Sequence, residues 1–356
     1  MHRLRCCGRQ PWDYRILMMI QDDIDMNHLC VEFFHHECLT NANQFCRGFQ
    51  YIMKTTTTVS LFLAALHVPA VAIVSIDYVT VGNAGNAADP TTGLGAVGYE
   101  YQIGQYEVTN AQYAEFLNAK AATDTYSLYN PNSAFVNLGI NRNGSSGSYT
   151  YSVTSELANR PVALVSWFDA ARFTNWLANG QGAGDTETGS YTLNGAISGT
   201  ILKNFGAAVY IPSENEWYKA AYYNGFTSSY SLYPNGQNTI TTADANFAQV
   251  IGSSTDVGSY SGDPSMYGTF DQGGNVVEWN DTVINGSLRG MRGGSWANHP
   301  NDDYLASTPT HTTPGSPSVE GSAVGFRVAS VAAIPETSTA LLGVLGILSF
   351  LRRKRC

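Results

Sequence analysis

The chain has 356 residues, with 19 basic against 28 acidic side chains and a formal net charge of −9. Between Ile73 and Ile334 the balance is 9 basic to 21 acidic, so this stretch lacks the clustered Lys and Arg that phosphate binding needs, which argues against a nucleic-acid partner. Hydrophobic residues make up 44% and aromatics 12%, which argues against global disorder.

Cysteine placement excludes more. The six cysteines are Cys6, Cys7, Cys30, Cys38, Cys46 and Cys356, with none between Arg47 and Arg355. The main body therefore has no disulfide, thiolate nucleophile or sulfur metal site. After His67 only His299 and His311 remain, so chemistry built on clustered imidazoles has little material either.

In chain order, residues 1–52 differ in composition from all that follows and read as an upstream extension. Their Cys30, His35, His36, Cys38 and Cys46 match no zinc-ligand spacing. Met53-Lys54 opens a second start. An apolar run from Val59 to Leu66 and then Ala70-Val-Ala72 follow, the order of parts in a secretory signal peptide cleaved near Ile73.

Tyr99, Tyr101 and Ile103 alternate with Glu100, Gln102 and Gly104, predicting a half-buried strand. Thr109 with Gln112 is a capping box ahead of the stripe Tyr113, Phe116, Leu117. Ser166 and Asp169 predict a second helix start, with Trp167, Ala170, Phe173 and Leu177 as its stripe and Gly180 as its stop. Ser213 and Glu216 predict a third, ending at Asn224-Gly225. Residues 122–160 and 181–206 read as long loops or small hairpins, and 207–211, 289–296 and 324–330 as short strands. The architecture expected is α+β, with few helices and much irregular structure.

At the C-terminus Ile334–Ala340, with Pro335-Glu336, leads into the apolar run Leu341–Leu351 and the basic cluster Arg352-Arg-Lys-Arg355. The run falls short of the roughly 20 residues of a full span. This resembles the PEP-CTERM sorting signal of Gram-negative bacteria, with Thr337 where the second Pro is usual. The resemblance implies handling by an exosortase, transient membrane anchoring, and delivery to the cell surface, outer membrane or extracellular matrix. An ordinary C-terminal anchor is the other reading.

The segments at 101–119, 160–177, 209–221, 268–279 (GTFDQGGNVVEW), 292–296 (RGGSW) and 325–328 (GFRV) occur in an order that resembles the sulfatase-modifying-factor family. The resemblance covers residues 76–330 and implies the fold of the formylglycine-generating enzyme, a variant of the C-type-lectin fold. The family's oxidase binds copper through two cysteines shortly after RGGS. Asn298 and Asp303 stand at those positions, and Cu(I) prefers thiolate. The resemblance thus implies no copper site and no formylglycine-generating activity. Val277 also replaces a usual Trp, and Leu305–Thr313 holds none of the family's Arg.

The family binds calcium through oxygen donors. The resemblance places one calcium on the side chains of Asp271 and Glu278 with the carbonyls of Gly274 and Val276. It places a second on Asn246 and the Phe247 carbonyl, with Gln249 where the family has Asp.

Three functional readings follow. The first is an exported, non-catalytic binding or structural domain whose ligand is a polysaccharide or matrix protein. Tyr126, Tyr129, Tyr149, Tyr151, Tyr230 and Tyr233 are its candidate stacking platforms, or else half-buried loop anchors. The second is a secreted enzyme of unknown reaction, such as a carboxylate-dependent hydrolase, for which the sequence selects no pair of acids. The third is an oxidase using another metal on His299, Asp302 and Asp303. His299 and His311 lie in no nucleophile motif, and the Gly run Gly180 to Gly184 lacks the Lys of a P-loop.

Overall fold

A computed structural model describes residues 73–135, 138–297, 306–307 and 314–331. The expected extension, signal peptide and sorting tail, along with Asn298, His299, Asp302, Asp303 and His311, lie outside these residues. Among the described residues no helix is long and apolar enough to cross a membrane.

All three capping boxes form. Helix α1 spans Asn110–Lys120, α2 Trp167–Ala178 and α3 Glu214–Tyr222. In each the N-cap side chain (Thr109, Ser166, Ser213) accepts from the third backbone N–H, and that residue's side chain reaches back to the cap. Gly180, at φ +83, follows α2 in the left-handed conformation that glycine adopts without penalty. Helix α3 stops two residues earlier than the Asn-Gly signal predicts. Its C-cap Tyr223 is already extended and pairs with Tyr230 across a two-stranded ladder.

The strands are short. β1 (Tyr78–Val81), β2 (Tyr101–Gly104), β5 (Val209–Tyr210) and β11 (Ala329–Ser330) form an antiparallel sheet in the order β1-β2-β11-β5. β3 (Ile140–Asn143) and β4 (Thr150–Val153) make a hairpin inside the first long loop, while β6 (Tyr223–Asn224) and β7 (Ser229–Tyr230) make a smaller one. β8 (Val277–Asn285) is the longest strand and pairs antiparallel with β9 (Leu288–Arg292) and parallel with β10 (Val324–Gly325). The strand expected over 289–296 ends at Arg292, because Gly293 and Gly294 take φ of +96 and +66. The strand expected over 324–330 is two strands in different sheets, joined through Phe326, Arg327 and Val328.

An aromatic core glues the helices to this joint. Phe116 lies 5.5 Å from Phe173 and 5.3 Å from Trp176, and Phe173 lies 5.5 Å from Phe326, mostly edge to face. The predicted stripe of α1 (Tyr113, Phe116, Leu117) is buried throughout. At the start of the described chain, Gln181 clamps Val74 from both sides: the Val74 N–H donates to Oε1 at 2.7 Å, and Nε2 donates to the Val74 carbonyl at 2.8 Å. The result is an α+β, formylglycine-generating-enzyme-like variant of the C-type-lectin fold, with three main helices and much irregular structure among the described residues.

Candidate functional site

The joint between β10 and β11 carries a charge into the core. Phe326 and Val328 pack into the apolar cluster, and alternation turns Arg327 the other way, with no exposed surface. Its Nε and Nη2 each lie 2.6 Å from an oxygen of Glu278 on β8. Nη1 donates to the carbonyls of Gly104 at 2.9 Å and Gln105 at 3.2 Å, and Nη2 also donates to the Phe270 carbonyl at 2.8 Å. One side chain thus ties together the end of β2, the turn before β8, and β8 itself. The Glu278 carboxylate is further held by Trp217 Nε1 at 2.7 Å.

Two more carboxyl groups share this region. Glu107 is buried. Its Oε1 accepts from Asn275 Nδ2 at 3.1 Å, and among the described residues its Oε2 has no partner. Burial, and then the nearby Asp271 charge, push the Glu107 carboxyl well above its ordinary value. Asp271, in a left-handed conformation at φ +61, accepts from the Gly258 N–H at 2.6 Å, and burial pushes it up to about 6. Two buried carboxyl groups, Glu107 and Glu278, and the half-buried Asp271 therefore share one guanidinium, a deficit of positive charge in a low-dielectric setting. Asn275 bridges outward from Glu107: its Oδ1 accepts from Thr255 N–H at 3.0 Å and Asn246 Nδ2 at 3.4 Å.

The residues expected to hold calcium fall into two groups. Gly274 and Asn246 are in backbone contact, since an added Cβ on Gly274 would run into the Asn246 carbonyl, and the Asn275 N–H donates to that same carbonyl at 2.9 Å. Val276 and Phe247 are buried, and among the described residues the Phe247 carbonyl accepts a long 3.4 Å bond from Val250. Asn246 Nδ2 is fixed by the Ser253 carbonyl at 3.0 Å, and among the described residues its buried Oδ1 has no partner. Gln249 is turned away, its Nε2 bonded to the Ala297 carbonyl at 3.0 Å. The Glu278 carboxylate is committed to Arg327 and Trp217. Among the described residues Glu107 Oε2 and Asn246 Oδ1 are buried without a partner; such oxygens suit a hard cation, which would displace the proton that burial favours on Glu107. Among the described residues no group of three or more His, Cys, Asp or Glu is arranged as a metal cluster. Any cation here therefore leans on backbone and amide oxygens. Glu107 is the residue that sequence reading missed. It lies two positions before the Thr109 cap, inside a segment read for its helix start.

The six candidate tyrosines do not stand out as a row of exposed platforms. Tyr129, Tyr151 and Tyr233 are buried, and Tyr151 Oη donates to the Ala121 carbonyl at 2.8 Å. Tyr230 is packed between Tyr218 and Tyr223, and Tyr126 lies under the Arg172 guanidinium at 4.1 Å. Tyr149 is half-exposed and borders an open groove of about 500 Å³, with Asp124, Ser127, Tyr129, Asn130, Asn132, Arg142 and Glu320 on its walls.

Residues 78–332 match the family described as the sulfatase-modifying factor enzyme 1-like domain, and the chain belongs to that family. Among solved structures it is similar to CarF, at 24% identity and a TM-score of 0.51 over 73% of this chain and 100% of that one. It is similar also to Treponema denticola variable protein 1, at 23% identity and a TM-score of 0.50 over 74% and 98%. At these identities the likeness concerns the fold. No curated protein matches the sequence.

Proposed function

We propose that the protein is an exported, surface- or matrix-associated binding or structural domain that does not perform formylglycine formation. The observation that carries this reading is the absence of any cysteine between Arg47 and Arg355. The family's oxidase, as the resemblance implies it, needs two thiolates for copper, and Asn298 and Asp303 supply none. Export rests on the signal-peptide order of residues 53–72 and on the Pro335-Glu336, apolar and basic order of 334–356, which an exosortase-type machinery would read.

The reading includes structural calcium beneath the turn before β8. Of the expected donors, Asp271 and the Gly274 and Val276 carbonyls stay in the set, and Glu107, whose buried Oε2 has no partner among the described residues, takes the place of Glu278, whose two oxygens are held by Arg327. Asn246 and the Phe247 carbonyl would serve a second ion, supported by the unpartnered Asn246 Oδ1. Calcium here supplies charge balance and rigidity.

The experiment uses the purified full chain with a sulfatase peptide carrying Cys-x-Pro-x-Arg, copper and oxygen, alongside a fractionation of producing cells. We expect no aldehyde by mass spectrometry, and protein in the surface or matrix fraction with its N-terminus near Ile73. Aldehyde above a denatured control, or a mature chain that retains Cys6 to Cys46, overturns the reading.

A further inference from the structure

We propose that the groove between the loop after α1, the β3–β4 hairpin and Glu320 binds a neutral saccharide. The proposal rests on the reading of the protein as a binding domain and names the site and ligand class that reading leaves open.

The groove is a built polar surface rather than a gap between loops. Arg142 on β3 reaches Asp124 across it, Nη1 to Oδ2 at 3.0 Å, with the Asp124 side chain almost wholly covered and the Arg142 side chain about a quarter exposed, 26%. The guanidinium lies 4.3 Å from the Tyr149 ring centre and 4.9 Å from that of Tyr129, so two rings hold it in one orientation. On the facing wall Asn130 Nδ2 donates to Glu320 Oε2 at 2.6 Å, bridging residues far apart in sequence. Asn130 is itself set by its Oδ1, which accepts the Asn132 N–H at 2.9 Å. Preset polar groups of this kind lower the ordering cost of binding.

The chemistry of the walls selects the ligand. Asp124 and Glu320 carry two negative charges against the one positive charge of Arg142, which Asp124 already engages. A polyanion would meet net repulsion here. The polar groups suit a ligand that both donates and accepts at several points. Among the described residues Glu320 Oε1 has no partner and is open to a hydroxyl donor, and the guanidinium and amide edges are open to hydroxyl acceptors. Burial raises both the Asp124 and Glu320 carboxyls. With the guanidinium over the Tyr149 ring and the ring half-buried against the core, its exposed edge and hydroxyl add an amphipathic border to the groove. A volume of about 500 Å³ is within the range of small-ligand sites, roughly 300–1,000 Å³.

The test titrates the full chain with oligosaccharides of cellulose, laminarin and agarose, and with alginate oligomers as the anionic control. We expect binding of at least one neutral oligosaccharide. Tyr149→Ala and Glu320→Gln should each weaken it about tenfold or more, with circular dichroism unchanged. Glu320→Gln keeps the size and one acceptor of the side chain, so it separates loss of the site from loss of the fold. Neutral-sugar binding that is unchanged in both variants overturns the groove while leaving the binding reading intact, as does capture of a matrix protein without sugar. Binding of alginate alone also overturns the groove. If no polysaccharide or matrix protein binds, both fail.

Discussion

Arg327 grips Glu278 with both arms of its fork, Nε and Nη2 each 2.6 Å from a different carboxylate oxygen, and neither side chain has exposed surface. A pair this dry owes its stability to complete hydrogen bonding as well as to charge. Removing only one partner strands the other. Arg327→Met should therefore cost about 3–5 kcal/mol in urea unfolding. Adding Glu278→Gln removes the stranded charge while keeping an acceptor for Trp217, and should recover part of that loss. A double variant no more stable than the single one would contradict this account.

The capping boxes differ in what hangs on them. Ser213 accepts the Glu216 N–H at 3.3 Å, whereas Glu216 accepts from Ser213 N at 2.8 Å, Ser213 Oγ at 2.6 Å, Tyr210 Oη at 2.7 Å and Tyr99 Oη at 3.0 Å. Ser213→Ala should cost about 1 kcal/mol, the usual value of an N-cap. Glu216→Ala should cost more, since it leaves the buried Tyr210 hydroxyl, as well as the part-buried Ser213 and Tyr99 donors, without their acceptor. Equal losses in chemical denaturation would show that the tyrosine bonds contribute nothing.

These boxes were legible because they are local: three residues of spacing and an apolar stripe suffice. β8 was not legible as a strand. Its inward positions include Glu278 and Asn280, which are buried for polar contacts, and its pairing with β9 shifts register twice, so apolar alternation is broken. The loop tyrosines stood between stacking platforms and half-buried anchors, and contacts distant in sequence decide for the anchors. Tyr151 sits in a Gly- and Ser-rich stretch, yet Asn118 on α1 bonds both its N–H and its carbonyl at 2.8 Å and draws the hairpin onto the helix. The Asp271, Gly274 and Val276 turn was readable as one motif. Its neighbour Glu107 was not, because Asn275 reaches it across 168 residues of sequence.

Burial of acids sets a pH dependence. Asp169 is raised to about 7 by burial, against the opposing Ser166 hydrogen bonds, and Asp281 to about 7 by burial, against Arg289. Their protons are held more tightly in the folded chain than in the unfolded one. Their stabilising contribution is therefore full below about pH 4 and is lost as pH rises through about 7. Urea unfolding across that window should show stability from these groups falling as pH rises, by up to about 1.4 kcal/mol per unit for each acid. Asp169→Asn with Asp281→Asn should flatten the slope, because Asn remains neutral throughout. An unaltered slope would assign the dependence to other groups.

Calcium should act on the charge deficit around Arg327. Glu107, Asp271 and Glu278 are three acids against one guanidinium, and Glu278 is the one already paired. An ion at Asp271 would therefore draw on Glu107 more than on Glu278. If calcium binds the folded chain alone, one site at 100 times its dissociation constant adds about 2.7 kcal/mol. Thermal melts of the full chain should then rise with calcium and fall with chelator. Asp271→Asn and Glu107→Gln should each shrink the calcium-dependent shift. Glu107→Gln should also stabilise the chelated protein, because the amide removes one uncompensated acid from the cluster. Terbium, a hard cation that emits when excited through nearby aromatic rings, gives a readout independent of stability, and its emission should drop in both variants. Equal melts with calcium and chelator remove the ion from this turn. A calcium shift that survives Glu107→Gln at full size while Asp271→Asn abolishes it removes Glu107 from the ligand set and returns the role to Glu278.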